Sequence, residues 1–186
     1  MDIVLLSMFA AMGLAIKQMA YPLAAVAAAP LFLPVAPLAS GAYMMWLTAG
    51  RASTGYRWAG TFMGAVQGIV ALLLIFGRHG AFNLPLYAST GLVVDLVFLI
   101  MGRSARSLIG CALATSLAAM TGTVMVVYVE LAMSWPIVAV SALLAAGSGI
   151  LGGFGAHRVL AIFDSISGPG RRSGQVMGKS RGKVAR

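Results

Sequence analysis

Apolar residues occupy the chain in long runs, and the polar positions collect between the runs. A run of about 20 apolar residues is what a helix needs to cross the hydrocarbon core of a bilayer. The first covers residues 3–20, with small residues at Ser7, Ala11 and Ala15 along one helical stripe. Residues 21–37 stay apolar but carry Pro22, Pro30, Pro34 and Pro37, which predicts a broken, folded-over segment because each interior proline removes a helix hydrogen bond. Non-helical backbone at membrane depth is tolerated only against protein or a water-filled cavity, so this segment is a candidate lid. A second span follows over residues 38–50, with Tyr43 and Trp46, and ends at a polar turn with Arg51 and Arg57. The third covers residues 58–76 with Gln67 near its midpoint. After a polar loop with Arg78, His79, Asn83 and Pro85, the fourth runs from Tyr87 to Met101 with Asp95 inside it. Arg103 and Arg106 mark the next turn, and the fifth span, residues 108–129, ends at Tyr128 and Glu130. Trp135 and Pro136 open the sixth, whose glycines include the small-xxx-small pair Gly149 and Gly153. The expected fold is an all-α integral membrane protein: a six-helix transmembrane bundle over residues 1–163 with a Pro-rich lid between helices 1 and 2, then a basic, disordered cytoplasmic tail over residues 164–186.

Composition strengthens that reading. Sixty percent of the residues are hydrophobic and 9% are charged, more apolar surface than a water-soluble core of 186 residues could absorb. The first run has no basic n-region and contains Lys17, so it reads as a retained helix. The net charge of +9 does not point to nucleic acid, because Arg171, Arg172, Lys179, Arg181, Lys183 and Arg186 all lie in the Gly/Ser-rich tail. Such a tail marks the cytoplasmic side and touches anionic lipid. With both termini inside, Arg51, Arg57, Arg103, Arg106 and Arg158 are cytoplasmic too, while Lys17 and Arg78 face outward. The charges therefore predict a multi-pass protein of the plasma membrane with both ends in the cytoplasm.

The candidate chemistry is sparse. Asp95 is the acid placed deep in a helix; it needs an inward face, a partner or a proton. Gln67 lies at similar expected depth, and its default role is a hydrogen bond to a neighbouring helix. The outer half collects Lys17, Gln18, Tyr21, His79, Asn83, Tyr87, Tyr128, Glu130 and Trp135, a composition that suits a small-molecule pocket, and Tyr43 of the second span is a further candidate for it. Interfacial belts also place Tyr87, Tyr128 and Trp135 without any ligand. No nucleophile and base pair, metal-ligand spacing or cofactor fingerprint occurs, so the expectation is a binding protein, not an enzyme, with no cofactor. The lone Cys111 reads as a small buried hydrophobe.

Several stretches resemble the substrate-binding S components of energy-coupling factor (ECF) vitamin transporters. These are FAAMGLAIK at residues 9–17, whose Ala11 and Ala15 match that family's AxxxA motif, GAYMMWL at 41–47, GAVQGIVALL at 64–73, and LYASTGLVVDLV at 86–97. Thr90-Gly91 stands where relatives tend to have Pro-Gly, which softens a local helix break. The resemblance implies six helices that bind a water-soluble vitamin or precursor, of the hydroxymethylpyrimidine/thiamine type, at the outer face under the lid. It implies that Ala11 and Ala15, with Ser7 beside them, dock on a transmembrane coupling subunit driven by two ABC ATPases. Asp95, Gln67 and the outer aromatics would then hold the ligand. The competing expectation is a self-sufficient proton-coupled transporter with Asp95 as its proton site.

Overall fold

Long apolar runs in this chain become helix, because a helix satisfies every backbone polar group inside its own segment. The computed structural model describes residues 2–28, 35–54, 56–73 and 80–166, and the side chains of Arg103 and Glu130 are among those outside the description. Among these residues six α-helices follow one another and no strand occurs. They are α1 (Asp2–Ala28), α2 (Val35–Ser53), α3 (Ala59–Leu73), α4 (Asn83–Met101), α5 (Leu108–Val124) and α6 (Trp135–Ile166). Short 3-10 turns, Gly80–Phe82 and Gly102–Arg106, lead into α4 and α5, and a π-helical turn, Met125–Glu130, extends α5. Four of the helices, α1, α4, α5 and α6, are long and apolar enough to cross a membrane. The chain is thus an all-helical protein with the helices of a multi-pass membrane protein.

Three boundaries differ from expectation. The expected break after residue 20 is absent as far as Ala28, and Pro22 sits inside α1 on an exposed face. One proline leaves one carbonyl without its helical partner, whereas unwinding the segment in hydrocarbon would strand several groups. Pro30 and Pro34 lie outside the described residues. Pro37 falls in the first turn of α2, where an N–H has no helical acceptor anyway. At the other end α6 runs to Ile166, three residues beyond the expected boundary at 163. The rest of the tail, like Arg78 and His79, lies outside the described residues.

The helices pack through registers that fix their relative directions. Phe9 of α1 meets Trp46 of α2, with ring centroids 6.1 Å apart, while Lys17 lies beside Tyr43, so α1 and α2 are antiparallel. In α3 and α4, Gly60 lies against Gly91 and Gly68 against Leu84, again antiparallel. A Cβ at Gly60 would stand 2.7 Å from the Gly91 carbonyl oxygen, and one at Gly64 2.3 Å from that of Tyr87. The stripe Gly60, Gly64 and Gly68 therefore brings two backbones into contact along three turns. Close backbone approach of this kind is the main source of helix association in lipid, where apolar burial gives no advantage.

The glycines of α6 act in the same way. A Cβ on Gly149 would fall 2.5 Å from Ser116 Cα, one on Gly153 2.3 Å from Ala112 Cα, and one on Gly152 2.2 Å from the Gly41 carbonyl oxygen. The close approach that the Gly149 and Gly153 pair allows is taken up within the chain, by α5, with α2 against Gly152. Ser148 adds a polar stitch, accepting from the Gly41 N–H and donating to the Leu38 carbonyl, both at 2.9 Å. Thr115 donates to Thr48 at 2.9 Å and so ties α5 to α2 at the centre of the bundle.

The first helix is different. Leu6, Phe9, Ala10 and Gly13 turn into the bundle, whereas Val4, Ser7, Met8, Ala11, Met12, Ala15 and Met19 stay exposed. Only 22% of its span is buried inside the chain, against 39% to 44% for α4, α5 and α6. Phe9 also meets Phe163 of α6 at 6.3 Å, so the beginning of α1 and the end of α6 share one end of the bundle. We refer to this as the terminal end and to the opposite one as the far end.

Candidate ligand site

Polar groups inside an apolar bundle need partners, and besides the stitches among α2, α5 and α6 two clusters of them stand toward opposite ends of the bundle. The first is at the terminal end. Asp95 is fully buried on α4 and faces the start of α3. Its Oδ1 accepts from the Gly60 N–H at 3.0 Å, and its Oδ2 accepts from the Thr61 N–H at 2.7 Å and the Thr61 hydroxyl at 2.8 Å. Arg51 Nε lies 2.8 Å from Oδ1 as an ion pair, and the guanidinium sits 5.2 Å from the centroid of Phe98. The carboxylate thus caps the N-terminus of α3, where free N–H groups and the helix dipole favour negative charge. Gly60 makes the approach possible, since a Cβ there would meet Oδ1 at 3.0 Å.

This arrangement corrects three expectations. Arg51 is in the last turn of α2, 8% exposed, and not in a solvated turn. Its helix continues past Gly50 because a buried carboxylate awaits the charge. Asp95 and Gln67 do not share a depth: Asp95 pairs with the first turn of α3, and Gln67 follows about 10 Å further along that helix. Gln67 does not face Asp95 or a cavity between them; its Nε2 donates to the Ala10 carbonyl at 3.0 Å and tethers α3 to α1.

The second place is at the far end, where α1, α2 and α4 bring Lys17, Tyr43 and Tyr87 together. Lys17 Nζ donates to the Tyr87 hydroxyl, with the ammonium 4.7 Å from the Tyr87 ring centroid and 5.5 Å from that of Tyr43. Tyr87 is 4% exposed. Two helical turns, about 12 Å, separate it from Asp95 along α4. One turn before Tyr87, on the same face, Asn83 is fully buried. Its Nδ2 donates to the Gly80 carbonyl at 3.0 Å, while its Oδ1 has no partner among the described residues. Gly80, at φ +52°, adopts a backbone conformation that favours glycine, and it turns its carbonyl toward Asn83.

Of the expected site residues, Lys17, Tyr43, Tyr87 and Asn83 therefore gather at one end. Asp95 and Gln67 are engaged elsewhere in holding helices together. Tyr128 and Trp135 stack on each other at 4.7 Å, 44% and 65% exposed, beside the π-helical turn that joins α5 to α6. The side chain of Glu130 lies outside the described residues. Ser7, Ala11 and Ala15 remain on the uncovered face of α1. Sequence reasoning missed Arg51 as the partner of Asp95, and it passed over the Gly60, Gly64, Gly68 stripe, whose four-residue spacing was readable. No protein-family model, curated protein or solved structure matches the chain.

Proposed function

We propose that this protein is the substrate-binding membrane subunit of an ECF-type importer, which captures a water-soluble vitamin or precursor and passes it to a coupling subunit driven by two separate ATPases. The observation that carries the proposal is the division of α1 into two faces. One face is packed into the bundle; the other presents Ser7, Ala11 and Ala15, exposed and with none of the described helices against them. The comparable stripe on α6 is consumed by internal packing, so small residues alone do not produce an open face. In lipid a small-residue stripe free of its own bundle favours association with a further helix.

The far-end cluster supports the other half of the proposal. Lys17, Tyr43, Tyr87 and Asn83 combine aromatic surface with a few directed polar atoms, as small-molecule sites do. The lid expected over residues 21–37 is helix as far as Ala28 and again from Val35, and residues 29–34 between them lie outside the described residues. The basic residues Arg51, Arg57, Arg106 and Arg158 favour a cytoplasmic terminal end, and with it an outward-facing cluster. Asp95 is left out of the binding site, because three hydrogen-bond donors and the Arg51 ion pair already engage it. For the same reason a proton relay through Asp95 finds no support.

The test is to purify the tagged protein in mild detergent and identify what accompanies it. A membrane coupling subunit and two ATPases should copurify, and Ala11→Trp with Ala15→Trp should abolish this while the protein stays folded, since both residues face outward. A protein that copurifies with none of them and transports in liposomes on a proton gradient alone refutes the proposal.

A further inference from the structure

Positive charge at the terminal end exceeds what the chain itself neutralises. The sequence holds 13 basic and four acidic residues, and the described ion pairs use two of the acids: Asp95 holds Arg51, and Asp164 holds Arg106. Glu130 ends the π-helical turn after α5, a helix that starts beside the Arg106 and Asp164 pair, so it belongs to the opposite end. That leaves Asp2 as the one further acid in the sequence at the terminal end. Arg57 and Arg158 are exposed there and have no acidic partner among the described residues. Counter-charge at this end therefore comes largely from outside the chain.

Of these two arginines, Arg57 is held in a fixed setting. It stands on the turn that joins α2 to α3, and the turn is tied down on both sides. The Thr54 hydroxyl donates to the Gly50 carbonyl at 3.0 Å and the Phe62 N–H to the Trp58 carbonyl at 3.0 Å, while Asp95 accepts from the N–H groups of Gly60 and Thr61. Thr54, Ala59 and Gly60 are buried, whereas Tyr56, Arg57 and Trp58 between them face out. Tyr56 is 61% exposed and Trp58 47%. A guanidinium flanked by Tyr and Trp matches the surface of a bilayer, where amphipathic rings sit at headgroup level and arginine pairs with phosphate.

The surface next to the turn is apolar. Phe62, one helical turn after Trp58, is 39% exposed, and Leu96, beside Asp95 on α4 and so level with the start of α3, is 43% exposed. An acyl chain can lie on such surface; a free phosphate or an acidic protein segment has no use for it. We infer that the turn between α2 and α3 binds the headgroup of an anionic phospholipid, with Arg57 on the phosphate, Tyr56 and Trp58 on either side of it, and the acyl chains against Phe62 and Leu96. This goes beyond the binding-subunit reading and does not rest on it, since the bilayer itself supplies the lipid.

The experiment places the full-length protein in nanodiscs of equal phosphatidylcholine and phosphatidylglycerol, and counts the lipid that stays bound by native mass spectrometry. Wild-type protein should retain phosphatidylglycerol in preference to phosphatidylcholine. Arg57→Gln should reduce that preference about fivefold without lowering the thermal midpoint, because the residue is exposed, and Arg57→Lys should keep most of it. Arg158→Gln, at an exposed arginine of α6 with no Tyr or Trp within a turn of it, should leave the preference unchanged. A wild type without preference, an Arg57→Gln variant that keeps it, or an equal loss in Arg158→Gln overturns the inference. Release of the bound phosphatidylglycerol by glycerol phosphate makes this a site for a soluble phosphate and overturns it too. So does an Arg57→Gln variant that keeps its lipid but loses a copurifying protein, which assigns the turn to an acidic partner. None of these outcomes bears on copurification of a coupling subunit through Ala11 and Ala15, so the two proposals fail separately.

Discussion

Replacing Asp95 by Asn removes one charge and reverses the polarity of half the side chain in a fully buried site. The carboxylate serves Gly60 N–H, Thr61 N–H, the Thr61 hydroxyl and Arg51. An amide can accept through only one of its two positions; the other then points N–H groups at donors. Arg51 is left with its side chain 10% exposed and no anion, keeping a long contact, 3.4 Å, to the Thr54 carbonyl and its place over the Phe98 ring. Removing one partner of a buried pair costs about 3–5 kcal/mol. The remaining contact and slight exposure of Arg51 place Asp95→Asn near the lower limit, about 3 kcal/mol. Arg51→Met should cost less, about 1–2 kcal/mol, because Asp95 keeps its three donors and the dipole of α3. The double variant should be less damaging than the sum, with a coupling of about 1–3 kcal/mol. Reversible unfolding in mixed detergent and SDS micelles measures all three. A loss below about 0.5 kcal/mol for Asp95→Asn, accompanied by weaker ligand binding, would refute the capping role and return Asp95 to the binding site.

Other substitutions test the packing. Gly153→Ala puts a methyl 2.3 Å from Ala112 Cα and should destabilise the protein by about 1–3 kcal/mol, whereas Gly147→Ala on the same helix meets nothing within 4 Å and should be neutral or stabilising by up to about 1 kcal/mol. The same unfolding assay compares the two, and equal losses would contradict the α5 and α6 register. Gln67→Leu removes the tether to the Ala10 carbonyl and should cost about 0.5–1.5 kcal/mol while leaving the capping of α3 by Asp95 intact. Additivity of Gln67→Leu with Asp95→Asn within about 0.5 kcal/mol would verify that the two sites are separate.

Much of the architecture is a property of individual residues and could be read along the chain. Hydropathy marks the spans because each apolar residue favours lipid independently of its neighbours, and the helix follows from the need to satisfy backbone groups there. The default role assigned to Gln67, a bond to a neighbouring helix, holds for the same local reason. That Asp95 turns inward also followed from its burial cost alone. What the chain could not reveal depends on register between helices distant in sequence. Ser7, Ala11 and Ala15 look like Gly149 and Gly153 as small-residue stripes, yet the first is exposed and the second buried, because α5 and α2 reach only one of them. Arg51 follows an apolar run and reads as a loop charge until packing sets Asp95 beside it. Lys17 and Tyr87 meet only because α1 and α4 approach at the far end of the bundle. Composition and periodicity decided that this chain forms helices suited to a membrane; tertiary structure decided which polar groups hold the helices together and which gather at the far end, since hydrogen bonds and ion pairs require two partners in place and hydropathy requires one.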